Sequence, residues 1–227
     1  MRKASSWLRA APLALLLAAG AAAAPTGLVH HWNFDEGPDW HDDPFQAAGT
    51  ATVARDSAGA ADAALQNMSG ANWVSGRQFT GLAFDGVNDF LLVNTNLAPT
   101  LGGTASLSFW LRTTQTGGVS SATAPAVTGV AGNGGAQWGW LDAAGRIALS
   151  VDDTLVVRSA EPVNDGQWHH VVLTRDAATG AGQVYVDGRL AASGTGATGE
   201  RAGAFSSLGR LEAGGGARYF EGRLDQI

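Results

Sequence analysis

The chain has 227 residues, 45% hydrophobic and 15% charged, with 32 glycines, no cysteine and a formal net charge of −6. That length and composition suit a single globular domain, and the lack of cysteine excludes a disulfide-stapled fold. The acidic balance excludes nucleic acid and anionic membrane as electrostatic partners.

The first stretch, MRKASSWLRAAPLALLLAAGAAAAP, carries Arg2, Lys3 and Arg9, then an apolar run, then small residues from Ala21 to Ala24. The pattern predicts a secretory signal peptide over residues 1–24, cut near Ala23 or Ala24. The apolar run falls short of the roughly 20 residues that a spanning helix needs. The mature protein, residues 25–227, is therefore expected to be secreted, with no part inserted in a membrane. Without the three leader cations it keeps 11 arginines and no lysine against 20 acids, a charge of −9.

Strand patterns follow. Gly27–Phe34 (GLVHHWNF) is a short apolar and aromatic run. Residues 35–71 are rich in Gly, Ala and Asp and predict a long surface excursion. Gly81–Asn94 reads as two short strands around Asp85–Asn88. In Ala105–Thr113 the side chains alternate, with Leu107, Phe109 and Leu111 on one face and Ser106, Ser108, Trp110 and Arg112 on the other. Thr116–Ala126 is a second predicted loop. Trp138–Asp153 predicts a strand, a turn at Asp142–Gly145 and another strand. Asp187-Gly188 between Val184-Tyr185-Val186 and Arg189-Leu190 predicts a tight type I′ hairpin. Outside the leader no long stretch has a helical apolar period. Recurrent turns instead predict an all-β antiparallel sandwich or barrel.

DGQWHHVVLTRD (Asp165–Asp176) carries two adjacent histidines behind a tryptophan. Alternate residues of a strand face opposite ways. Trp168, His170, Val172 and Thr174 then share one face and His169, Val171, Leu173 and Arg175 the other, so the histidines are not expected to share a metal.

The succession GLVHHWNFDE, DSAG, GLAFDGVNDFLLV, SLSFWLRT, DGQWHHVVLTRD, GQVYVDGRLAAS and FEGRLDQI resembles the laminin-G-like jelly roll of the concanavalin A-like lectin/glucanase superfamily. The likeness runs from Gly27 to Ile227, and DGQWHHV…QVYVDG is its most specific part. It implies an all-β, two-sheet antiparallel jelly roll, often with structural calcium and sometimes with a carbohydrate- or protein-binding role. Related domains continue past Leu224-Asp225 as an apolar strand pairing near the N-terminal one, so the expectation is a fragment; the alternative, a lost final strand, would leave its partner with an open edge.

The resemblance places calcium-ligating carboxylates at Asp56 and Asp225, with Asp35 adding an oxygen; calcium needs six to eight such ligands from converging loops. The competing reading gives Asp56 to an Asx-type turn with Ser57 and Gly59. His30, His31 and His41, with Asp35, Glu36, Asp39, Asp42 and Asp43, offer zinc-type donors but lack the helical His spacing of a zinc motif. No catalytic carboxylate strand, nucleophile elbow or phosphate loop stands in the sequence, so the chain is not expected to be an enzyme. Candidate sugar-stacking aromatics are Trp40, Trp73, Trp138 and Trp140, the last two read as sharing a strand face. Trp32 and Trp168 are expected in the core.

These readings converge on a secreted non-catalytic binding module for a glycan or an extracellular protein, with calcium fixing its loops. The alternatives are a structural or adhesion domain without a small ligand and, less favoured, a polysaccharide-active enzyme.

Overall fold

The structure, a computed structural model, describes residues 27–37, 51–117, 129–133, 135–152, 154–201, 203–213 and 216–227. The predicted leader lies outside the described residues. So do Trp40, His41 and nearly all of the predicted loop from Thr116 to Ala126.

Among the described residues the elements are β1 (Val53–Ala54), β2 (Ala63–Gln66), a 3-10 turn at Gly70–Asn72, β3 (Trp73–Ser75), β4 (Thr80–Asp85) and β5 (Phe90–Val93). The one short helix, α1 (Ala98–Leu101), precedes β6 (Ala105–Arg112), β7 (Ala131–Gly132), β8 (Ala136–Leu141), β9 (Ile147–Val151) and β10 (Leu155–Arg158). The chain then makes β11 (Trp168–Arg175), β12 (Ala181–Val186), β13 (Arg189–Thr195), β14 (Ser207–Leu208), β15 (Arg210–Ala213), β16 (Gly216–Tyr219) and β17 (Glu221–Asp225). No described helix is long and apolar enough to cross a membrane.

Two antiparallel sheets result, ordered β1-β2-β5-β14-β7-β8-β9-β10 and β13-β12-β11-β6-β17-β4-β3, with β15-β16 as a separate hairpin. Together they form the jelly-roll sandwich expected of the sequence. The alternation in β6 decides its inner face: Leu107, Phe109 and Leu111 are buried while Ser106, Ser108 and Arg112 are exposed. On β11, Val171 and Leu173 point into the same core. Arg175 follows them inward, its two terminal nitrogens donating to Gly102 O at 2.6 Å, Gly103 O at 3.1 Å and Gly199 O at 2.6 Å. Trp32, Trp73, Phe84, Phe109, Trp138 and Phe220 supply the aromatic part of the core.

Turn chemistry explains the connections. Asp187 and Gly188 have φ of 50° and 76°, the left-handed pair that a type I′ turn needs, and Val186 faces Arg189 across it. At the β8–β9 turn, Gly145 N–H donates to Asp142 O at 2.9 Å. The two strands predicted in Gly81–Asn94 are present as β4 and β5, yet they belong to different sheets. Asp85 Oδ1 accepts from the N–H groups of Val87, Asn88 and Asp89 and so caps the crossing between sheets.

The reading of residues 35–71 as a surface excursion is corrected for residues 51–71, residues 38–50 lying outside the described residues. That segment contributes β1 and β2, which pair with each other and extend the eight-stranded sheet through β5. Their inward side chains are alanines, Ala54 and Ala63, both fully buried. Alanine is depleted in strands and bears no β signature. The first described segment is held at Trp32, which exchanges two backbone hydrogen bonds with Ile227, at 2.9 and 3.0 Å, and bridges to Asp56.

Candidate functional site

The two sheets differ in how their outer faces are covered. All of β8 and β9 is buried, on both sides. The outer face of the seven-stranded sheet instead presents Trp110, Trp168 and His170 half-buried, with Ser106, Ser108 and Arg112 exposed. Trp110 faces His170 across the β6–β11 pair and Trp168 faces Arg112. The Trp110 and His170 rings stand 5.0 Å apart at 39°, and His170 Nε2 shares a 2.9 Å hydrogen bond with Ser108 Oγ. The Arg77 guanidinium lies over the Trp110 ring, 4.7 Å from its centroid.

A groove of about 1040 Å³ opens beside β6, its lining running from the outward Ser106, Ser108, Trp110 and His170 to the core side chains Leu97, Leu101, Leu107 and Leu208. Ser106, Ser108, Trp110 and His170 form one side, Gly27–Trp32 the other, and Gln78 and Gln226 stand at one end. Hydroxyls, amides and rings thus meet in one cleft, the polar-plus-aromatic mixture of a ligand site. The reading of Trp168 as a core residue is corrected: it sits at an outward position of β11, half-exposed. Period-two alternation already grouped Trp110 with Ser106 and Ser108, and Trp168 with His170 and Thr174. That was the available signal.

The histidines diverge as alternation requires. His169 lies between two carboxylates, its Nδ1 2.8 Å from Asp187 Oδ2 and its Nε2 3.1 Å from Asp165 Oδ1. Burial alone would lower the His169 pKa, but the hydrogen bonds to Asp187 and Asp165 outweigh it and raise it. His169 is a clamp on the β12–β13 hairpin. His170, on the opposite face, lines the groove.

The three predicted metal carboxylates share one neighbourhood, but their side chains do different work. Asp56 is nearly buried. Its Oδ1 accepts from the N–H groups of His31, Ala58 and Gly59 at 2.9–3.1 Å, and its Oδ2 from His30 Nδ1 at 2.7 Å and Ala61 N–H at 3.0 Å. Burial pushes this carboxyl up, yet the hydrogen bonds from His31, His30, Ala61 and Gly59 hold it far below the usual range. Five donors on about four lone-pair positions commit Asp56 to the turn around it.

Asp225 contrasts with this. It is fully buried, its Oδ2 accepts from the Arg77 and Gln78 N–H groups at 2.7 and 2.9 Å, and its Oδ1 has no hydrogen-bond partner. Burial pushes it up to about 6; the nearby Asp35 charge adds to this and the Gln78 and Arg77 N–H groups oppose it. Asp35 is itself raised, by burial more than its contact with Thr80 and the charge of His31 lower it. Asp35 and Asp225 are thus two neighbouring carboxylates with a deficit of positive charge. An orphaned buried oxygen beside a second carboxylate fits a hard cation. Among the described residues no three His, Asp or Glu side chains converge on one point, so a calcium ion here would take its other oxygens from backbone, amides or water.

The tryptophan platform is corrected. Trp73, Trp138 and Trp140 are each at most 1% exposed. Trp73 and Trp138 donate their indole N–H to Ala51 O at 2.8 Å and Leu101 O at 3.1 Å. Nor do Trp138 and Trp140 share a face. A bulge at Gly139, φ 71°, sets Trp138 opposite Leu149 and Trp140 opposite Ala148, neighbouring residues that point to opposite sides of β9. Trp138 enters the main core, whereas Trp140 packs with Ala148 and Leu211 in a separate cluster. Of the predicted zinc donors that are described, His30 bonds Asp56 and His31 Nε2 lies 3.1 Å from Gln226 Oε1.

Residues 84–227, more than half of the chain, match the Laminin_G_3 family, and the chain belongs to the concanavalin A-like lectin/glucanases superfamily. A stretch of 69 residues, 30% of this chain, is 39% identical to part of "Sushi, von Willebrand factor type A, EGF and pentraxin domain-containing protein 1" of Rattus norvegicus. The Mus musculus protein of that name is 38% identical over an equal length. The match spans 2% of either relative. Among solved structures the chain is similar to domain 4 of AbnA, a GH43 extracellular arabinanase from Geobacillus stearothermophilus, in complex with arabinotriose. The TM-score is 0.50 at 19% identity, over 87% of this chain and 89% of that one. It is also similar to a mutant Trypanosoma rangeli sialidase displaying trans-sialidase activity, with TM-score 0.49 and 20% identity over 91% of this chain and 31% of that one. At 19% identity the likeness to the arabinanase domain is one of fold.

Proposed function

We propose that the chain is an exported, non-catalytic module that binds a glycan along the groove over the seven-stranded sheet. Fold alone does not choose between binder and enzyme; the reading rests on the groove. The observation that carries it is Trp110, half-exposed between Arg77 and His170, with the Ser106 and Ser108 hydroxyls beside it in one cleft. Rings and short hydroxyls on a rigid sheet give a sugar both an apolar surface and hydrogen-bond partners. The non-catalytic reading is supported by the burial of Asp225: a general acid must come within hydrogen-bond reach of the leaving group, and this carboxyl is fully covered. Export is supported by the leader pattern at Arg2–Ala24.

A calcium ion at Asp35 and Asp225 belongs to the same proposal. When bound, it would neutralise the two carboxylates and fix the Arg77–Gln78 loop that closes one end of the groove.

The test is a glycan-array screen of the chain in calcium and again in chelator, with Trp110→Ala alongside. Specific binding is expected, reduced about tenfold or more by loss of the ring. The milder Trp110→Phe, which keeps a ring, is expected to bind within a few-fold of wild type. A folded Trp110→Ala variant that binds as well as wild type overturns the groove reading. A folded wild-type chain silent on every glycan overturns the lectin and leaves a protein-binding or adhesion domain.

A further inference from the structure

We infer that Ser57 is a covalent modification site: its hydroxyl takes one acyl group from an activated ester, with His31 as its base and Gln226 positioning His31. The inference goes beyond the glycan-binding reading and stands without it.

The fold brings the three together from distant parts of the chain. The Trp32 backbone lies between that of Asp56, which it bridges, and that of Ile227, with which it exchanges two hydrogen bonds. His31 therefore has Ser57 on one side and Gln226 on the other. Its Nδ1 is 3.0 Å from Ser57 Oγ and its Nε2 is 3.1 Å from Gln226 Oε1. All three residues line the groove, and Ser57 is exposed. The Ser57 backbone is firmly held. Its N–H donates to His31 O at 2.8 Å, and the Asp56 carboxylate before it binds the N–H groups of Ala58, Gly59 and Ala61 after it.

The hydrogen bonds also fix where the protons are. Gln226 Nε2 donates to Asn33 O at 3.2 Å, and a carbonyl can only accept, so the amide oxygen is the atom turned to His31. Facing that oxygen, His31 Nε2 must carry the hydrogen. A neutral imidazole has one N–H, so Nδ1 presents its lone pair to Ser57. A nucleophile, a base within hydrogen-bond reach and a third group that orients the base together activate a serine. Gln226 is held at φ 51°, a left-handed conformation unfavourable for a residue with a side chain, and such strain gathers at functional sites. The Ser108–His170 pair, 2.9 Å apart in the same groove, is the contrast: among the described residues nothing accepts from its other ring nitrogen.

In the reaction Ser57 Oγ bonds to the acyl carbon as its proton passes to His31 Nδ1. The bond from that carbon to the leaving oxygen then breaks, and the leaving group takes the proton from Nδ1 and departs as an alcohol or phenol. A serine ester remains, and nothing is oxidised or reduced. The sequence ends there. The N–H groups of Ser57, Ala58, Gly59 and Ala61 are all engaged by His31 O or Asp56, so none of the four can hold an oxyanion. One such donor is worth about 10²–10³ in rate. Only an activated ester therefore reacts, and the serine ester is not turned over, in keeping with a non-catalytic module.

The probe is p-nitrophenyl acetate, followed by nitrophenolate release and by peptide mapping in the mass spectrometer. One acetyl group per chain is expected on Ser57, with nitrophenolate appearing in a single burst. His31→Gln is expected to slow labelling about a hundredfold or more. Gln226→Leu is expected to slow it about tenfold, through loss of the hydrogen bond that orients the ring. Gln226→Glu keeps an acceptor oxygen toward His31 and should label within a few-fold of wild type, a rescue that a merely structural role would not show. Ser57→Ala, at an exposed position, keeps the fold and loses the label; it carries the test should His31→Gln not fold. Labelling no faster on Ser57 than on Ser108 overturns the inference, as does a folded His31→Gln labelled at the wild-type rate. Steady turnover that disappears in Ser57→Ala overturns it as well, because the serine ester would then be an intermediate and not a product.

Discussion

Asp56 and Asp225 are both buried aspartates near the junction of Trp32 and Ile227, yet they are opposite solutions to burying a carboxylate. Asp56 is met by five donors and stays ionised; Asp225 is met by two, keeps one oxygen unpartnered and is pushed up to about 6. A buried charge costs several kcal/mol unless hydrogen bonds replace its water. The difference teaches that burial does not define a role. The supply of donors does: a saturated carboxylate is a structural anchor, and an undersupplied one keeps an oxygen free for another partner.

The largest effect should come from removing the anchor. Asp56→Ala strands four backbone N–H groups and His30 together, and is expected to cost about 3–5 kcal/mol in denaturant unfolding. A loss under 1 kcal/mol would show that water replaces the carboxylate and would dissolve the contrast.

Asp225→Asn should act in the other direction. A carboxyl with a folded pKa of about 6 against an unfolded value of 3.8 loses stability as the pH rises from about 4 to about 6, because the unfolded state ionises first. At neutral pH without calcium the amide is therefore expected to stabilise by about 1–3 kcal/mol. The gain should shrink as the pH falls toward 4. Calcium should raise the melting temperature of the wild type and leave Asp225→Asn nearly unmoved; equal shifts would put the ion elsewhere.

His169 offers the smallest effect and a useful reference, because its partners Asp165 and Asp187 are half-exposed. Its raised pKa means that its ion pairs stabilise the fold below its ordinary value and fade as the pH rises through the folded one. His169→Gln is expected to cost at most about 1 kcal/mol, and less at alkaline than at mildly acid pH. Glycan affinity should be untouched, since the ring faces away from the groove.

Local patterns in the sequence were enough to predict an all-β antiparallel sandwich or barrel, and the family resemblance chose the sandwich. The left-handed pair Asp187-Gly188, the alternation of β6 and the parity of His169 and His170 each depend on neighbours a few residues apart. The site was less legible because it depends on pairings across the chain. That Asp225 lies beneath the Arg77–Gln78 backbone requires the β4–β17 register. Asp56 was visible as a carboxylate, and the turn DSAG as its partner, but the count of donors converging on it needed coordinates. The alanines of β1 and β2 concealed two strands by being small.

Gly139 acts on β8 as an inserted base acts on a reading frame. Every residue after it is read from the other side of the sheet, so one strand sends Trp138 inward and Trp140 outward, each to a hydrophobic partner. Drawing Gly139 back into the regular ladder would put Trp138 and Trp140 on one face, turn Trp140 toward a core already occupied by Trp138, and expose the surface that Leu211 of β15 now covers. A single residue without a side chain thus lets Trp140 close the outside of one sheet against Ala148 and Leu211.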